Sequence, residues 1–133
     1  MKRIYDFSRS PSKRNYTVDD LKKLKNSDKK LSMSNPSNAL ELKACIEAGI
    51  DLLTVWENQI EEVRKIAPHH FAGVGSTWSQ FGSSKDIMDH AFKMMSKGAD
   101  MYYTLRSFDV LEMLAKEGIP VQSHIGLIPT FSH

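Results

Sequence analysis

Cysteine is almost absent from this sequence, and so are several other features that would assign a protein class at once. Cys45 is the single cysteine among 133 residues, which excludes an intramolecular disulfide and a metal site built on several thiolates. No apolar run approaches the roughly 18 residues that a membrane-spanning helix needs, so no membrane span is expected. The first residues lack the apolar core of a signal peptide, and the reducing cytoplasm is therefore the expected compartment.

Net charge is also small, but it is unevenly distributed. The whole chain carries a formal charge of +2, whereas residues 1–30 contain ten Lys/Arg and four Asp, a net +6. Such a segment can contact phosphates or an acidic neighbour, but nucleic-acid-binding modules cluster basic charge more densely, so nucleic acid is not an expected partner. Residues 1–29 are predicted to form a basic N-terminal arm that is irregular up to residue 15. A capping-box pattern at Thr17 and Asp20 then predicts a short helix over residues 18–25.

From residue 30 onward the chain repeats one pattern, in which a helix stops at a glycine and a short apolar run follows. The stops are at Gly49, Gly98 and Gly118. The predicted strands are residues 30–34, 52–56, 71–75, 101–105 and the run that begins at 119. Five strands alternating with four helices predict a parallel sheet with right-handed crossovers.

Apolar spacing predicts which helix faces are buried. The first helix of the alternation is expected to open at Asn35-Pro36 and to carry Leu40, Ala44 and Ala48 on one face. The third is expected to be capped by Ser83 or Ser84, with an apolar face of Ile87, Met88, Ala91, Phe92 and Met95. Methionines on this face are more typical of a core than of a cofactor site.

Two α/β architectures fit this alternation. An open doubly wound sheet is disfavoured because no glycine-rich phosphate loop follows the first strand, at residues 32–36. A TIM (β/α)8 barrel needs eight units and roughly 200–250 residues. We therefore predict that residues 30–133 form the N-terminal portion of a TIM barrel, with about five parallel strands. As a barrel, this portion is incomplete.

The last predicted strand carries the most specific candidate for chemistry. Its apolar run is interrupted near the end by Gln122, Ser123 and His124, followed by Gly126. Sites in parallel α/β folds lie at the carboxyl ends of strands, which places His124 in such a position. The alternative is that His124 is a hydrogen-bonded core histidine.

This stretch also carries a family resemblance. Residues 123–129 (Ser-His-Ile-Gly-Leu-Ile-Pro), with Lys97-Gly98-Ala99-Asp100-Met101 and Glu117-Gly118-Ile119-Pro120-Val121 before them, resemble the ketopantoate hydroxymethyltransferase family. That family belongs to the phosphoenolpyruvate/pyruvate class of TIM barrels. The resemblance covers about residues 30–133. It implies transfer of a hydroxymethyl group from methylenetetrahydrofolate to the 2-keto acid α-ketoisovalerate, in pantothenate biosynthesis, through an enolate stabilised by Mg²⁺.

Carried over position by position, the resemblance implies Glu57 as a Mg²⁺ ligand and His124 as the catalytic residue. Asn58 falls beside Glu57, while Ser76 and Arg106 follow later strands and are the other candidate substrate-binding residues. The sequence departs from the family elsewhere, since no carboxylate stands near residues 73–76. Tyr103 and Leu105 also replace the family's lysine and glutamate on the fourth strand.

These departures leave two other interpretations open. The chain can be a catalytically inactive barrel fragment that binds a metabolite or serves as an assembly subunit, or a related carbon–carbon lyase of the same superfamily. An isolated part of a barrel exposes strand edges and apolar surface. A homo-oligomer, or a partner chain that completes the barrel, is therefore expected.

Overall fold

The computed structural model describes residues 1–77 and 79–126, which form a hairpin, a short helix and an alternating α/β unit. In chain order the elements are β1 (Lys2–Tyr5), β2 (Pro11–Arg14), α1 (Val18–Leu24), β3 (Met33–Ser34), α2 (Ala39–Glu47), β4 (Leu52–Val55), α3 (Ile60–Ile66), β5 (Phe71–Gly75), α4 (Ser84–Ser96), β6 (Met101–Thr104), α5 (Phe108–Lys116) and β7 (Val121–Ser123). No helix within these described residues is both long and apolar enough to cross a membrane.

The alternating unit forms one parallel sheet whose spatial order follows the chain order, β3-β4-β5-β6-β7. Each strand lies beside the strand that precedes it in the chain. A doubly wound sheet reverses direction at a switch point, whereas a barrel winds in one direction throughout. The predicted class, α/β with five parallel strands alternating with helices, is therefore confirmed.

Local signals explain most helix ends. The helices that precede β4, β6 and β7 end before Gly49, Gly98 and Gly118, and all three glycines have positive φ, as predicted. The capping box at Thr17 and Asp20 is present, and the helix it opens ends at Leu24.

The two faces of the sheet have different coverings. Alternate strand residues such as Leu53, Val74 and Tyr102 point toward α2–α5 and join the main buried core with Ile87 and Leu114. The opposite face, here called the inner face, is covered only over the amino-terminal half of its strands. There Leu52, Phe71 and Met101 pack against residues of the N-terminal segment, namely Tyr16, Val18, Leu21 and Leu31.

The predicted irregular start is wrong, because β1 and β2 form an antiparallel hairpin. The turn is closed by Asp6, which accepts hydrogen bonds from the Arg9 and Ser10 amides. Polar four-residue strands carry little sequence signal, since a two-stranded hairpin is marginal by itself. Its stability here comes from contacts with the α/β unit, described below.

Two helix faces also differ from the prediction. Asn38, not Asn35, caps α2, and this start leaves Leu40 78% exposed while Leu42 is buried. In α4, His90 joins the buried face, whereas Phe92 lies at its margin and packs edge-on against Phe7 of the hairpin loop. In α2 the helix begins later than predicted, and in α4 Phe92 contacts a residue of another element. The set of buried residues therefore differs from the predicted set in both helices.

The N-terminal segment is held by a buried ion cluster at the amino-terminal end of the sheet. Asp100, just before β6, accepts hydrogen bonds from Arg14 Nε and Arg64 Nη2, each at 2.7 Å, and from the Ala72 amide at 2.9 Å. The Arg14 side chain is 3% exposed and the Asp100 side chain 9%. Arg14 Nη1 also donates to the Pro68 carbonyl at 3.0 Å. The cluster joins the hairpin to α3, β5 and β6.

Replacement of Asp100 by Asn should strongly destabilise the protein, because the buried guanidinium of Arg14 and the partly buried guanidinium of Arg64 would lose their counter-charge. Removing one partner of a buried ion pair costs about 3–5 kcal/mol. Asp89→Asn is the control, since its pair with Lys85 is exposed and such pairs contribute about 0.3–0.5 kcal/mol. Urea unfolding of both variants measures the difference, and a loss below about 1 kcal/mol for Asp100→Asn would contradict this role.

Candidate functional site

The carboxyl-terminal half of the inner face is open, unlike the amino-terminal half. A cavity of about 280 Å³ lies there, lined by Met33, Ser34, Asn35, Thr54, Tyr103 and Gln122. These residues come from the ends of β3, β4, β6 and β7. The carboxyl ends of sequentially ordered parallel strands are the place where barrel folds build their sites. We take this cavity and the adjoining His124 as the candidate site.

Glycines in β5 leave the space that the tyrosine of the neighbouring strand occupies. Gly73 and Gly75 lie on the inner face, since Ala72 and Val74 between them join the helix-side core. A Cβ atom added at Gly75 would lie 3.4 Å from Tyr103 Cδ1, and one at Gly73 would lie 3.3 Å from Met101 Cε. Beyond Phe71 the inner face of β5 is therefore bare backbone, and the Tyr103 ring lies beside it at Gly75.

Tyr103, which lines this cavity, forms a hydrogen-bonded pair with His124. The Tyr103 hydroxyl lies 3.1 Å from His124 Nδ1, and His124 is exposed. Partial burial raises the pKa of Tyr103 above its ordinary value, so its phenol is protonated at neutral pH. The pair therefore offers a neutral hydroxyl donor beside an imidazole, the side chain best suited to proton transfer near neutral pH.

Gln122 adds an acceptor without a partner. Its side-chain oxygen is buried and has no hydrogen-bond partner in the described part of the chain. An unpaired buried acceptor costs free energy unless a donor reaches it. Gln122 also lines the cavity beside Tyr103, but this oxygen is closed to solvent, so a ligand reaches it only if the Gln122 side chain turns.

A second polar chain lies on the helix side of the sheet. His90, 7% exposed in α4, places Nε2 2.5 Å from Glu57 Oε2 and Nδ1 2.8 Å from the Tyr102 hydroxyl. Burial raises the pKa of Tyr102, against a smaller lowering by a hydrogen bond with Ser76. With its ring proton on Nε2, His90 donates from Nε2 to Glu57 and accepts at Nδ1 from the Tyr102 hydroxyl. Tyr102 and Tyr103 are consecutive and point to opposite faces, so the two polar chains lie on opposite sides of the sheet.

The predicted site residues are only partly brought together. His124 lies at the inner-face mouth, whereas Glu57, 49% exposed, belongs to the helix-side chain and also accepts from Gln80. Asn58 is exposed in the turn after β4. Ser76 is 3% exposed and donates to the Tyr103 carbonyl, and Arg106 donates to the Phe81 carbonyl at 3.1 Å. Their roles in binding substrate remain predictions.

The residues do not fit the Mg²⁺ site that the resemblance implies. Among residues 1–77 and 79–126 no group of three His, Cys, Asp or Glu side chains is placed to hold a metal ion. Glu57, the one carboxylate carried over, is hydrogen-bonded to His90 and Gln80 instead. Mg²⁺ prefers an octahedron of oxygen ligands.

Three residues of these polar groups were not predicted from the sequence: His90, Tyr102 and the acceptor Gln122. A histidine among Ile87, Ala91 and Met94 on a buried helix face is the one available signal, because a buried imidazole needs polar partners. Those partners come from other elements, and helical spacing carries no information about them.

Comparisons with known proteins assign no family. No protein-family model matches the sequence, and no curated protein matches it. Among solved structures, a putative deoxyribose-phosphate aldolase from Coccidioides immitis is similar, with a TM-score of 0.49 and 12% identity. The alignment covers 70% of this chain and 46% of that one, so this chain spans less than half of its length. At this identity the likeness concerns the path of the chain and assigns no reaction.

The His90–Tyr102 hydrogen bond should appear as a coupling free energy between the two side chains. His90→Phe keeps the ring against Phe81 but removes the acceptor for the buried Tyr102 hydroxyl, at a cost of about 1–3 kcal/mol. Adding Tyr102→Phe should then cost about 1 kcal/mol less than it does in the parent chain. Urea unfolding of the two single variants and the double variant measures this coupling. Strict additivity would show that the bond does not stabilise the fold.

Proposed function

We propose that this chain is the N-terminal portion of a (β/α)-barrel enzyme that acts on a small 2-keto acid at the inner-face site. The reaction is the one that the sequence resemblance implies, the addition of a one-carbon unit to an enolate. The observation that carries the proposal is the Tyr103–His124 hydrogen bond at the carboxyl ends of β6 and β7, beside the open cavity. Methylenetetrahydrofolate, as the one-carbon donor, comes from the resemblance alone.

The pair supplies both groups that enolisation needs. With its ring proton on Nδ1, His124 donates to the Tyr103 oxygen and leaves Nε2 free to accept a proton. Nε2 takes the α-proton of the keto acid, and the electrons of the broken C–H bond form the carbon–carbon double bond of the enolate. The Tyr103 hydroxyl donates to the keto oxygen on which negative charge develops. The raised pKa of Tyr103 keeps that donor protonated.

This mechanism requires no step through Mg²⁺. The described carboxylates do not form the ligand set of the resembling family, and Tyr103 occupies a position where that family has a charged residue. A neutral phenol can stabilise a developing oxyanion by donating a hydrogen bond to it. Gln122 supplies an acceptor without a partner, which a hydroxyl group on the one-carbon adduct would satisfy once the Gln122 side chain turns into the cavity.

A second candidate is a catalytically inactive barrel portion that binds a metabolite or serves as an assembly subunit. Within the described residues β3 and β7 each have one neighbouring strand, so both edges of the sheet are free. Met33 at one edge is 50% exposed, and Ile125 beyond the other is 79% exposed. Such edges favour a second copy or a partner chain that continues the sheet. A tight self-association with no exchange activity would support this candidate.

His124→Gln should abolish exchange of the α-proton of α-ketoisovalerate, because glutamine cannot accept that proton. Tyr103→Phe should slow exchange by about 10²–10³-fold, the effect of removing one oxyanion donor. Proton NMR in D₂O, with the whole protein that contains this chain, follows the loss of the α-proton signal.

The matched control is His69→Gln, which removes an imidazole just before β5, at the end of the sheet opposite to His124. It should leave exchange unchanged. If the parent protein exchanges the α-proton and His124→Gln exchanges at the same rate, His124 is not the base. If the parent protein shows no exchange above buffer, the enzymatic proposal fails and the second candidate replaces it.

A further inference from the structure

The N-terminal hairpin presents an outward face that neither the fold nor the proposed reaction uses. Side chains alternate along each strand, so Arg3 and Tyr5 of β1 share this face with Pro11 and Lys13 of β2. We call these four residues the hairpin face. All four are exposed, and Tyr5 is 76% exposed.

The hairpin face contains two like charges directly opposite each other. Arg3 pairs with Lys13, and Tyr5 pairs with Pro11, across the antiparallel strands. Within the described residues neither the Arg3 nor the Lys13 side chain forms a hydrogen bond or an ion pair. Like charges at directly opposed positions destabilise a strand pair. Residues that lower the stability of the fold are expected at functional sites, where binding requires them.

The hairpin is a fixed platform and not a loose tail. On its other face Arg14 is buried in the cluster with Asp100. At the end of β2 the Asn15 amide donates to the His69 carbonyl at 2.8 Å, and Lys2 forms an ion pair with Asp20 of α1. A rigid scaffold can hold a ligand at lower entropic cost than a flexible arm. The cationic pair is therefore presented at a defined place.

An open cavity adjoins this face and contains no acidic side chain. Its volume is about 750 Å³, and the hairpin-face residues line it together with Ile4, Ser12, Pro68 and His69. Arg3, Lys13 and His69 are the groups that can carry charge, and all of them are cationic when charged. Ile4, Pro68 and the rings of Tyr5 and Pro11 supply apolar surface. This combination suits an anion that carries a flat apolar part.

We propose that the hairpin face binds a nucleoside phosphate, with Arg3 and Lys13 on the phosphate and the Tyr5 ring stacked on the base. Positions two apart on a strand are separated by about 6.6 Å, so the cations and the tyrosine stand roughly one sugar unit apart. Arginine and lysine bind phosphate oxygens, and bases of any sequence stack on tyrosine.

The size of the site indicates a single nucleotide and not a nucleic-acid strand. The hairpin face comprises two cross-strand pairs. Modules that bind single strands extend over about 4–16 nucleotides. This site is independent of the proposed keto-acid reaction, since the hairpin packs at the amino-terminal end of the sheet and His124 lies at the carboxyl-terminal end.

Calorimetric titration of the 133-residue chain with ADP at low salt tests the proposal. Arg3→Gln and Lys13→Gln should each weaken ADP binding at least tenfold, because each removes a charged phosphate contact. Tyr5→Ala should weaken binding of ADP but not of pyrophosphate, since it removes only the stacking surface. Lys25→Gln, an exposed change of the same charge elsewhere in the basic segment, should weaken ADP binding less than twofold.

A second variant separates binding from folding. Arg3→Glu should abolish ADP binding while raising the melting temperature, because the repulsion across the hairpin becomes an attraction. No ADP binding by the parent chain would overturn the proposal. So would an equal effect of Lys25→Gln, which indicates diffuse charge, or an equal loss of pyrophosphate binding in Tyr5→Ala. Binding of the parent chain only to vesicles with 30% anionic lipid, or only to a long single strand, would also overturn it.

Discussion

The carboxylate of Asp100 is the interaction on which the arrangement of this molecule depends. It accepts from a guanidinium of the hairpin, a guanidinium of α3 and the backbone at the start of β5, at the point where β6 begins. Because these groups are largely withdrawn from water, the carboxylate compensates two charges that would otherwise be very costly to bury. A hairpin of two four-residue strands thereby becomes part of the fold, and α1 is brought against the inner face.

Because the cluster fixes the N-terminal segment at one end of the sheet, the two halves of the inner face differ in how they are covered. At the amino-terminal end Leu52, Phe71 and Met101 are covered by the N-terminal segment, which closes that end of the inner face. The carboxyl-terminal end stays open, and there Tyr103 and Gln122 line a cavity while His124 is hydrogen-bonded to Tyr103. Stability and chemistry are separated in this way in parallel barrels generally, where the carboxyl ends of the strands carry the site. The proposed acid–base pair follows that division.

The parallel α/β fold could be predicted because its signals are local. Each local signal depends on a few neighbouring residues. Examples are the glycines that end α2, α4 and α5 and the apolar run Phe71–Gly75. The hairpin could not be predicted, since its strands are polar and its anchor, Asp100, lies 86 residues from Arg14. For the site, the position of His124 after a strand could be predicted, but its hydrogen bond with Tyr103, 21 residues away, could not. The Glu57–His90 contact joins residues 33 apart and redirects the one carboxylate predicted to bind metal.

The most direct test of the central claim is an NMR titration of the isotopically labelled protein with α-ketoisovalerate. If the inner-face site binds the keto acid, the largest shift changes will fall on Thr54, Tyr103, Gln122 and His124, and those of Arg3 and Lys13 will stay unchanged. The account is contradicted if the shift changes fall instead on the hairpin or on the helix side around His90. It is also contradicted if no shift changes occur at millimolar keto acid, because the open half of the inner face then does not bind the substrate.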